Sequence, residues 1–416
     1  MGSSNFHLYL FCIALFIGIL PSKAQIGIFY YKNPNAQFMN NRIVSLTEAS
    51  NQEIMLLGKA GDEKFANMRP YYARIDKKGN MLFQNTLDAA GLYDLNKILI
   101  LPGQDINIYG SIKNADKYTP YINTINTSGK SKKLENKFSV YSTILNDVIY
   151  IDKNTALISE TKVGKTDLYN IAIYKVNLQT GEQVWYKNIT SESNEYANQL
   201  LLLKDDQIII LGKKYNDERT NYVPIIYKLN TSGEVMWKKS LSVPGNFFNQ
   251  SITYGEGDIL YYICGYSRES TGTCETRIVM LNQENENIDY KIFQEISANG
   301  IITLNDGNFF IYGSNLIVHE GHVITKAKFV IFNKSFEVLA DGQLGASDEP
   351  DAGFLKNAPK AMPSSSDLIS AIQLSDNRIA CGGRLYMPAT GKADKVDSDR
   401  QNNALVLILS PDGKYK

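Results

Sequence analysis

One four-part pattern recurs seven times along this chain, and it limits the fold more than any other feature of the sequence. In each copy, an apolar segment is followed by a second apolar segment that ends on a small residue. A third apolar segment, a tight turn and a fourth segment complete the copy, and we name the four segments strands A, B, C and D. The small residues that end strand B lie about 54 residues apart on average and are Gly58, Gly110, Ser159, Gly212, Gly265, Gly313 and Gly382.

Four short strands in each period of about 50 residues are typical of β-propellers. After the first 24 residues no segment keeps a 3.6-residue apolar period, which excludes a helical solenoid. Strands A to C are nearly continuous apolar runs, as expected for sheets packed on both faces. Strand D alternates aromatic residues with lysine, as in residues 184–188, and lysine protects an exposed sheet edge. We therefore predict an all-β, seven-bladed β-propeller of four-stranded antiparallel blades.

The two ends of the chain complete each other in this scheme. The seventh copy reaches Lys416 where its strand D is due, and residues 26–32 form a strand-like segment that belongs to no copy. We expect the N-terminal segment to supply the outer strand of the last blade and so to close the ring. The alternative is an independent N-terminal strand beside an incomplete blade.

The first residues have the layout of an export signal. Residues 7–20 are mostly apolar and are followed by small residues up to Ala24, so we expect a signal peptide over residues 1–24 and one propeller domain over residues 25–416. A retained membrane anchor is the alternative, although the apolar run is shorter than a bilayer requires. After cleavage we expect a monomer without a membrane span that is secreted, periplasmic or associated with the cell envelope.

The turn glycines and strand aromatics carry a family resemblance. Residues 306–313 and 230–233 resemble the repeats of bacterial secreted β-propellers of the delta-60 type. Residues 180–185 and 232–237 are similar to the repeat of quinoprotein dehydrogenases. That second resemblance implies a pyrroloquinoline cofactor and tryptophans in most blades, but only Trp185 and Trp237 exist and no two cysteines are adjacent. We therefore expect no cofactor.

Two insertions mark the rim near blades six and seven as a candidate binding site. They are the link of residues 345–367 and the loop of residues 383–403, which we expect to be neighbours on the side of the ring where loops vary. Mobile surface loops are the alternative interpretation. The candidate ligand- or partner-binding residues in these insertions are Asp348, Glu349, Asp351, Tyr386, Asp397 and Asp399.

Asparagine recurs near the start of strand A and predicts a polar ring at one mouth of the central channel. Either these side chains satisfy loop backbone groups or they bind a ligand. The candidate binding residues are Asn96, Asn146, Asn198 and Asn249, and Asn41 and Asn299 belong to the same series.

The remaining motifs favour structural roles. The spacing of Asp394, Asp397 and Asp399 does not match an EF-hand, so a solvated charge cluster is the preferred interpretation. His319 and His322 are predicted to face each other across a hairpin tip, where zinc would need a further ligand such as Asp348 or Glu349. We expect no metal site.

The cysteines also favour structural roles. Cys264 and Cys381 are expected to fill the core, and a disulfide between Cys264 and Cys274 stays open.

No catalytic set emerges from these patterns. The numbers of acidic and basic side chains are equal, at 43 each, so no basic field invites nucleic acid. The leading hypothesis is a non-catalytic binding or scaffold propeller that engages a protein or glycan partner outside the cytoplasm through its loop-rich rim. The alternative is a propeller hydrolase or lyase that uses carboxylates of the rim or channel.

Overall fold

The computed structural model describes most of the chain beyond its N-terminal segment. The described residues are 27–31, 40–62, 68–87, 92–101, 105–115, 117–126, 130–133, 143–163, 168–178, 180–215, 222–241, 249–268, 273–282, 287–319, 322–344, 365–387 and 401–414. The expected signal peptide lies outside them. Within them no helix is long and apolar enough to cross a membrane.

Twenty-eight strands account for nearly all of the described structure, with two short 3₁₀ turns at Ser50–Gln52 and Glu256–Asp258. In chain order the strands are β1 (Gly27–Tyr31), β2 (Asn40–Glu48), β3 (Ile54–Gly61), β4 (Arg69–Ile75), β5 (Met81–Thr86), β6 (Leu92–Ile100), β7 (Ile106–Asn114), β8 (Lys117–Ile125), β9 (Ser131–Lys133), β10 (Thr143–Tyr150), β11 (Thr155–Val163), β12 (Tyr169–Asn177), β13 (Gln183–Ile189), β14 (Glu195–Leu202), β15 (Ile208–Tyr215), β16 (Tyr222–Leu229), β17 (Val235–Ser240), β18 (Asn249–Tyr254), β19 (Leu260–Arg268), β20 (Thr273–Leu281), β21 (Asn287–Gln294), β22 (Ser297–Thr303), β23 (Phe309–His319), β24 (His322–Phe332), β25 (Val338–Gln343), β26 (Ser365–Gln373), β27 (Ile379–Met387) and β28 (Gln401–Leu409).

These strands form seven separate four-stranded antiparallel sheets, which are the blades. Blades 1 to 6 are consecutive meanders, so that blade 1 is β2-β3-β4-β5 and blade 6 is β22-β23-β24-β25. Blade 7 has the order β1-β28-β27-β26 and joins the two ends of the chain. The first strands of neighbouring blades contact one another in a closed circle, with β2 touching both β6 and β26. Strand A is therefore the innermost strand, and strand D is the outer edge.

The core is divided among the interfaces between blades. The described residues form seven clusters of buried apolar side chains, and each cluster lies between two neighbouring blades. One joins Ile43 of blade 1 to Val406 of blade 7. Seven blades in a line would have six interfaces, so the seventh cluster demonstrates a ring. The chain is a seven-bladed β-propeller, as the repeat pattern predicted.

Closure by the N-terminal strand is confirmed. β1 pairs with β28 from Gly27 opposite Ile408 to Tyr31 opposite Ala404. Phe29 and Tyr31 pack against the core between blades 7 and 1, and Ile28 packs against the core between blades 6 and 7. The short outer strand is thus anchored on both faces.

Contacts between blade 1 and the closing strand add to this anchoring. The Tyr31 hydroxyl donates a hydrogen bond of 2.6 Å to the carbonyl of Gly79 in the C–D turn of blade 1. Gly79 has φ +81°, and a Cβ there would overlap the Phe29 ring. Glycine is therefore required at this turn both for its backbone conformation and for the close approach of the closing strand.

Side chains of strand A also bond the next blade directly. The Asp147 carboxylate accepts a hydrogen bond of 2.9 Å from the Leu200 N–H. The Gln199 side chain accepts one of 3.0 Å from the Ile252 N–H. Such bonds fix the rotation of each blade relative to its neighbour, and they position the inner strands that surround the channel.

Candidate functional site at the mouth of the central channel

A β-bulge near the start of strand A shapes one mouth of the channel. In every blade except blade 5, the pairing of strands A and B shifts by one residue at this point. A bulge leaves one residue unpaired and bends the strand. The unpaired residues are Val44, Asn96, Asn146, Asn198, Asn299 and Ile369.

The bulge explains why a glycine recurs in strand B, although the strand continues beyond it, as β3 does to Gly61 and β7 to Asn114. Gly58, Gly110 and Gly383 lie opposite the residue that precedes the bulge, where a Cβ would overlap a backbone carbonyl oxygen of strand A. This register corrects two predicted positions. In blade 7 the equivalent glycine is Gly383 rather than Gly382, and in blade 3 the position is occupied by Glu160 rather than Ser159.

The next position of strand B, after the glycine or its equivalent, pairs with the strand A residue that lies two positions before the bulge residue. These cross-strand pairs recur around the mouth, where strands A begin and strands B end. They are Arg42 with Lys59, Asp94 with Ser111, Ile144 with Thr161, Tyr196 with Lys213, Ser297 with Ser314, and Asp367 with Arg384.

Three consecutive blades place charged residues at these positions. We name Arg42, Lys59, Asp94, Asp367 and Arg384 the mouth cluster. Lys59 of blade 1 forms an ion pair with Asp94 of blade 2, and an Arg384 guanidinium nitrogen lies 3.8 Å from an Asp367 oxygen within blade 7. The side chains of Asp94 and Arg384 are each 40% exposed, so a ligand can reach the cluster from solvent.

Asp367 is the most enclosed carboxylate of the cluster, with a side chain that is 17% exposed. One oxygen accepts a hydrogen bond of 2.7 Å from the Asn299 amide of blade 6. Burial raises the pKa of Asp367 above its ordinary value, while Arg384, Asn299 and Arg42 act in the opposite direction. A carboxyl with this balance changes its charge closer to neutral pH than an exposed aspartate.

Blades 1 and 2 contribute polar atoms whose hydrogen-bonding capacity is unused within the described residues. They are Arg42 Nε, both amide atoms of Asn41, and Asn96 Oδ1. Asn41 is only 1% exposed. Buried polar groups are nearly always hydrogen-bonded, and unpaired ones often mark a position for water or a ligand.

The asparagines predicted to line the mouth occupy different environments. The Asn146 side chain accepts a hydrogen bond of 2.7 Å from Thr161, and the Asn198 amide donates one of 3.1 Å to the backbone of blade 5. Asn249 lies in blade 5, whose strand pairing has no bulge, and donates to Asn299. Within this series, Asn41 and Asn96 are the described members that keep buried atoms with no described partner.

Most candidate residues of the two insertions, namely Asp348, Glu349, Asp351, Asp397 and Asp399, lie outside the described residues, as does Asp394. The strands that bound the insertions reach further than predicted, since β26 begins at Ser365, β27 continues to Met387 and β28 begins at Gln401. Tyr386 is opposite Ser365 in the sheet. The described ends of both insertions therefore adjoin at one end of blade 7.

The predicted hairpin of blade 6 is confirmed, with His319 paired to His322. Among the described residues no group of three or more His, Cys, Asp or Glu side chains could hold a metal ion.

All three described cysteines are free and buried. The question of a disulfide between Cys264 and Cys274 is thereby answered, because both thiols are free and Cys264 is opposite Arg277 while Cys274 is opposite Ser267. Cys264 and Cys381 fill the core as expected, although the corrected register places Cys381 two residues before its glycine.

Tyrosines occupy the opposite side of the mouth, between blades 3 and 4. Tyr196 stacks on Tyr169 at a centroid distance of 4.9 Å, and Tyr215 stacks on Tyr222 at 4.3 Å. The two pairs meet edge to face, and the amine of Lys213 lies 4.6 Å from the Tyr222 ring centre. The mouth thus combines a charged side with an aromatic side.

Comparison with known proteins supports the fold and leaves the family open. No protein-family model matches the chain, and no curated protein matches it.

The structure is similar to that of polysaccharide lyase Uly1, with a TM-score of 0.53 and 9% identity over 94% of this chain and 93% of that one. A Dyadobacter fermentans protein of unknown function aligns with a TM-score of 0.50 and 10% identity over 93% of this chain and 99% of that one. A Penicillium chrysogenum α-L-arabinanase aligns with a TM-score of 0.47 and 10% identity over 75% of this chain and 99% of its own. At these identities the likeness concerns the fold alone.

The mouth cluster could not be found from the asparagine series or the insertions. A signal for it exists in the sequence, because Lys59, Lys213 and Arg384 each follow a strand B glycine. Reading that signal requires the register of strands A and B, which the bulge shifts by one residue. The aligned glycine Gly383, rather than Gly382, reveals Arg384 as the partner of Asp367.

Proposed function

We propose that the chain is an exported, non-catalytic propeller that binds a glycan at the channel mouth as a monomer. The observation that carries the proposal is the mouth cluster, which is assembled from blades 7, 1 and 2 and accompanied by buried polar atoms without a described partner. Export rests on the apolar segment at residues 7–20.

Several features favour a glycan over a protein partner. Sugars present many hydroxyl groups, which charged side chains and amides can bind, together with flat apolar faces that suit aromatic rings. The mouth offers both kinds of surface, with the charged residues on one side and the tyrosines on the other. The shared fold with a polysaccharide lyase adds support for a carbohydrate ligand.

Affinity electrophoresis of the full chain in gels that contain neutral or acidic polysaccharides tests the proposal. We expect at least one polysaccharide to retard the wild-type protein and Asp94→Asn and Arg384→Gln to weaken that retardation at least tenfold. Glu256→Gln is the matched control, because Glu256 is 81% exposed and lies in the A–B turn of blade 5 at the other end of the channel. Equal retardation of mouth and control variants, or no retardation at all, would refute glycan binding at the mouth.

A propeller lyase or hydrolase is the second candidate, and the environment of Asp367 favours it. A buried carboxyl with a raised pKa beside two guanidinium groups is suited to proton transfer near a bound anion. Incubation with the retarded polysaccharide, followed by measurement of new reducing ends and unsaturated uronates, distinguishes the candidates. An enzyme would release products that disappear in Asp367→Asn while binding persists, whereas a binding protein would release none.

A further inference from the structure

The charges of the mouth cluster do not balance. Arg42, Lys59 and Arg384 are cationic, and only Asp94 and Asp367 are anionic. Lys59 is paired with Asp94, and Arg384 is the nearest described cation to Asp367. Arg42 forms no ion pair with a described carboxylate, so it is the cation in excess.

The surroundings of Arg42 make this excess charge consequential. Burial and the neighbouring guanidinium of Arg384 both lower the pKa of Arg42, whereas Asp94 and Asp367 only partly compensate. Its Nε is buried and has no hydrogen-bond partner within the described residues. A guanidinium offers its donors in a planar fork that matches a carboxylate, and a bound anion would also screen Arg42 from Arg384.

Polar atoms without a described partner continue into blade 2. Asn96, the bulge residue of its strand A, has a buried oxygen that no described residue satisfies, whereas the unpaired amide of Asn41 belongs to the strand face opposite Arg42. An amide can donate to and accept from hydroxyl groups. A single excess positive charge, flanked by the carboxylates of Asp94 and Asp367, suits a singly charged group better than a dianion such as phosphate.

We propose that the glycan carries a carboxylate and that Arg42 binds it, with Arg384 as the second guanidinium of an anion receptor. The ligand class is therefore an acidic, uronate-containing oligosaccharide. This inference rests on the proposed function and narrows it from glycans in general to acidic glycans.

Calorimetric titration of the full chain with oligogalacturonates and oligoalginates, and with their methyl esters, tests the inference. Methyl esterification removes the charge and keeps the sugar skeleton. We expect the wild-type protein to bind at least one acid form at least tenfold more tightly than its ester. Arg42→Gln should abolish this preference, and Arg42→Lys should retain part of it, because lysine keeps the charge and loses the fork.

Lys334→Gln is the matched control. Lys334 is also a cation, but it is 72% exposed and lies in the C–D turn of blade 6, at the other end of the channel, so its loss should leave the preference unchanged. Circular dichroism melts establish that each variant is folded, and if Arg42→Gln fails to fold, Arg384→Gln replaces it with the same expected loss.

Each outcome separates the inference from the proposed function. Acid and ester forms that bind equally, or a preference that survives in the arginine variants, would overturn the inference and leave glycan binding intact. Tighter binding of sulfated glycans, or of a polyglutamate peptide, than of any uronate would also overturn it. Retardation by no polysaccharide would remove both proposals.

Discussion

Removing the packing of the closing strand should destabilise the whole ring. Ile28, Phe29 and Tyr31 are half-buried, and together they contact the cores on both sides of blade 7. Full burial of a large apolar side chain contributes about 1.5–3 kcal/mol, so half-burial of three contributes about 3 kcal/mol. The Tyr31 hydrogen bond to Gly79 adds about 1 kcal/mol. The triple alanine variant should therefore lower the free energy of unfolding by about 4 kcal/mol, a large part of the total for a typical protein.

The matched control replaces three apolar residues of other outer strands that are exposed. Val184, Met236 and Tyr290 are 56%, 53% and 70% exposed. Their triple alanine variant should lower the free energy of unfolding by less than about 1 kcal/mol. Urea titrations followed by far-ultraviolet circular dichroism give both values. The fluorescence of Trp185 and Trp237 reports separately on blades 3 and 4, which are remote from the closure.

Both probes should shift together in the closure variant, because each blade is stabilised only by its neighbours. Equal free energies of unfolding for the two triple variants would refute the assigned role of the N-terminal strand. If the closure variant shifted the urea midpoint seen by circular dichroism and left the midpoint seen by tryptophan fluorescence at the wild-type value, the blades would not unfold cooperatively around the ring.

Other predictions concern single positions. Gly383→Ala should lower the free energy of unfolding by about 1–3 kcal/mol or more, since the new Cβ would overlap the Asp367 carbonyl oxygen. Gly307 has φ +83° and open space around it, so Gly307→Ala should lower the free energy of unfolding by about 1 kcal/mol. The urea midpoints of the two variants test this difference. A carboxyl whose pKa is raised in the folded state stabilises the fold below its unfolded pKa, and this contribution is lost as pH rises through the folded pKa. The free energy of unfolding should therefore fall less in Asp367→Asn than in the wild type between acid and neutral pH. Urea titrations at several pH values measure this difference. Burial raises the pKa of Cys264 to about 11 and also raises that of Cys381, so neither thiol should react with a thiol reagent in the native protein at neutral pH, and rapid labelling would contradict their buried positions.

The ring could be predicted from the sequence because its determinants are local and repeated. Each turn requires particular residues, and each inner strand must be apolar on both faces, so the same pattern appears in every copy. Closure was predictable for a related reason: one copy lacked an outer strand, and residues 26–32 had the composition of one. Such features survive even though no overall sequence similarity to a known family is found.

The mouth could not be predicted, because it depends on register rather than on composition. The bulge inserts one residue into strand A, and the strand B glycine opposite it identifies the insertion only when the register of the two strands is known. In blade 7 the two adjacent glycines Gly382 and Gly383 make the alignment ambiguous. An alignment on Gly382 places Asp367 and Arg384 in loops, although they are paired strand residues at the channel mouth.

The same register places the candidate site across the closure of the ring. Blade 7 holds Asp367 and Arg384 and is built from both ends of the chain, whereas Arg42 lies near the start of blade 1 and Asp94 near the start of blade 2. A ligand that bridges these blades binds only the closed ring, so it should stabilise the fold by mass action, by about 2.7 kcal/mol at one hundred times its dissociation constant. By the reciprocity of linkage, a variant that opens blade 7 should weaken ligand binding even when every residue that touches the ligand is intact. The triple alanine variant of β1 offers that comparison, since none of its three substitutions lies in the mouth cluster. Affinity that is unchanged at a urea concentration where a large fraction of the variant is open would place the binding site away from the closure.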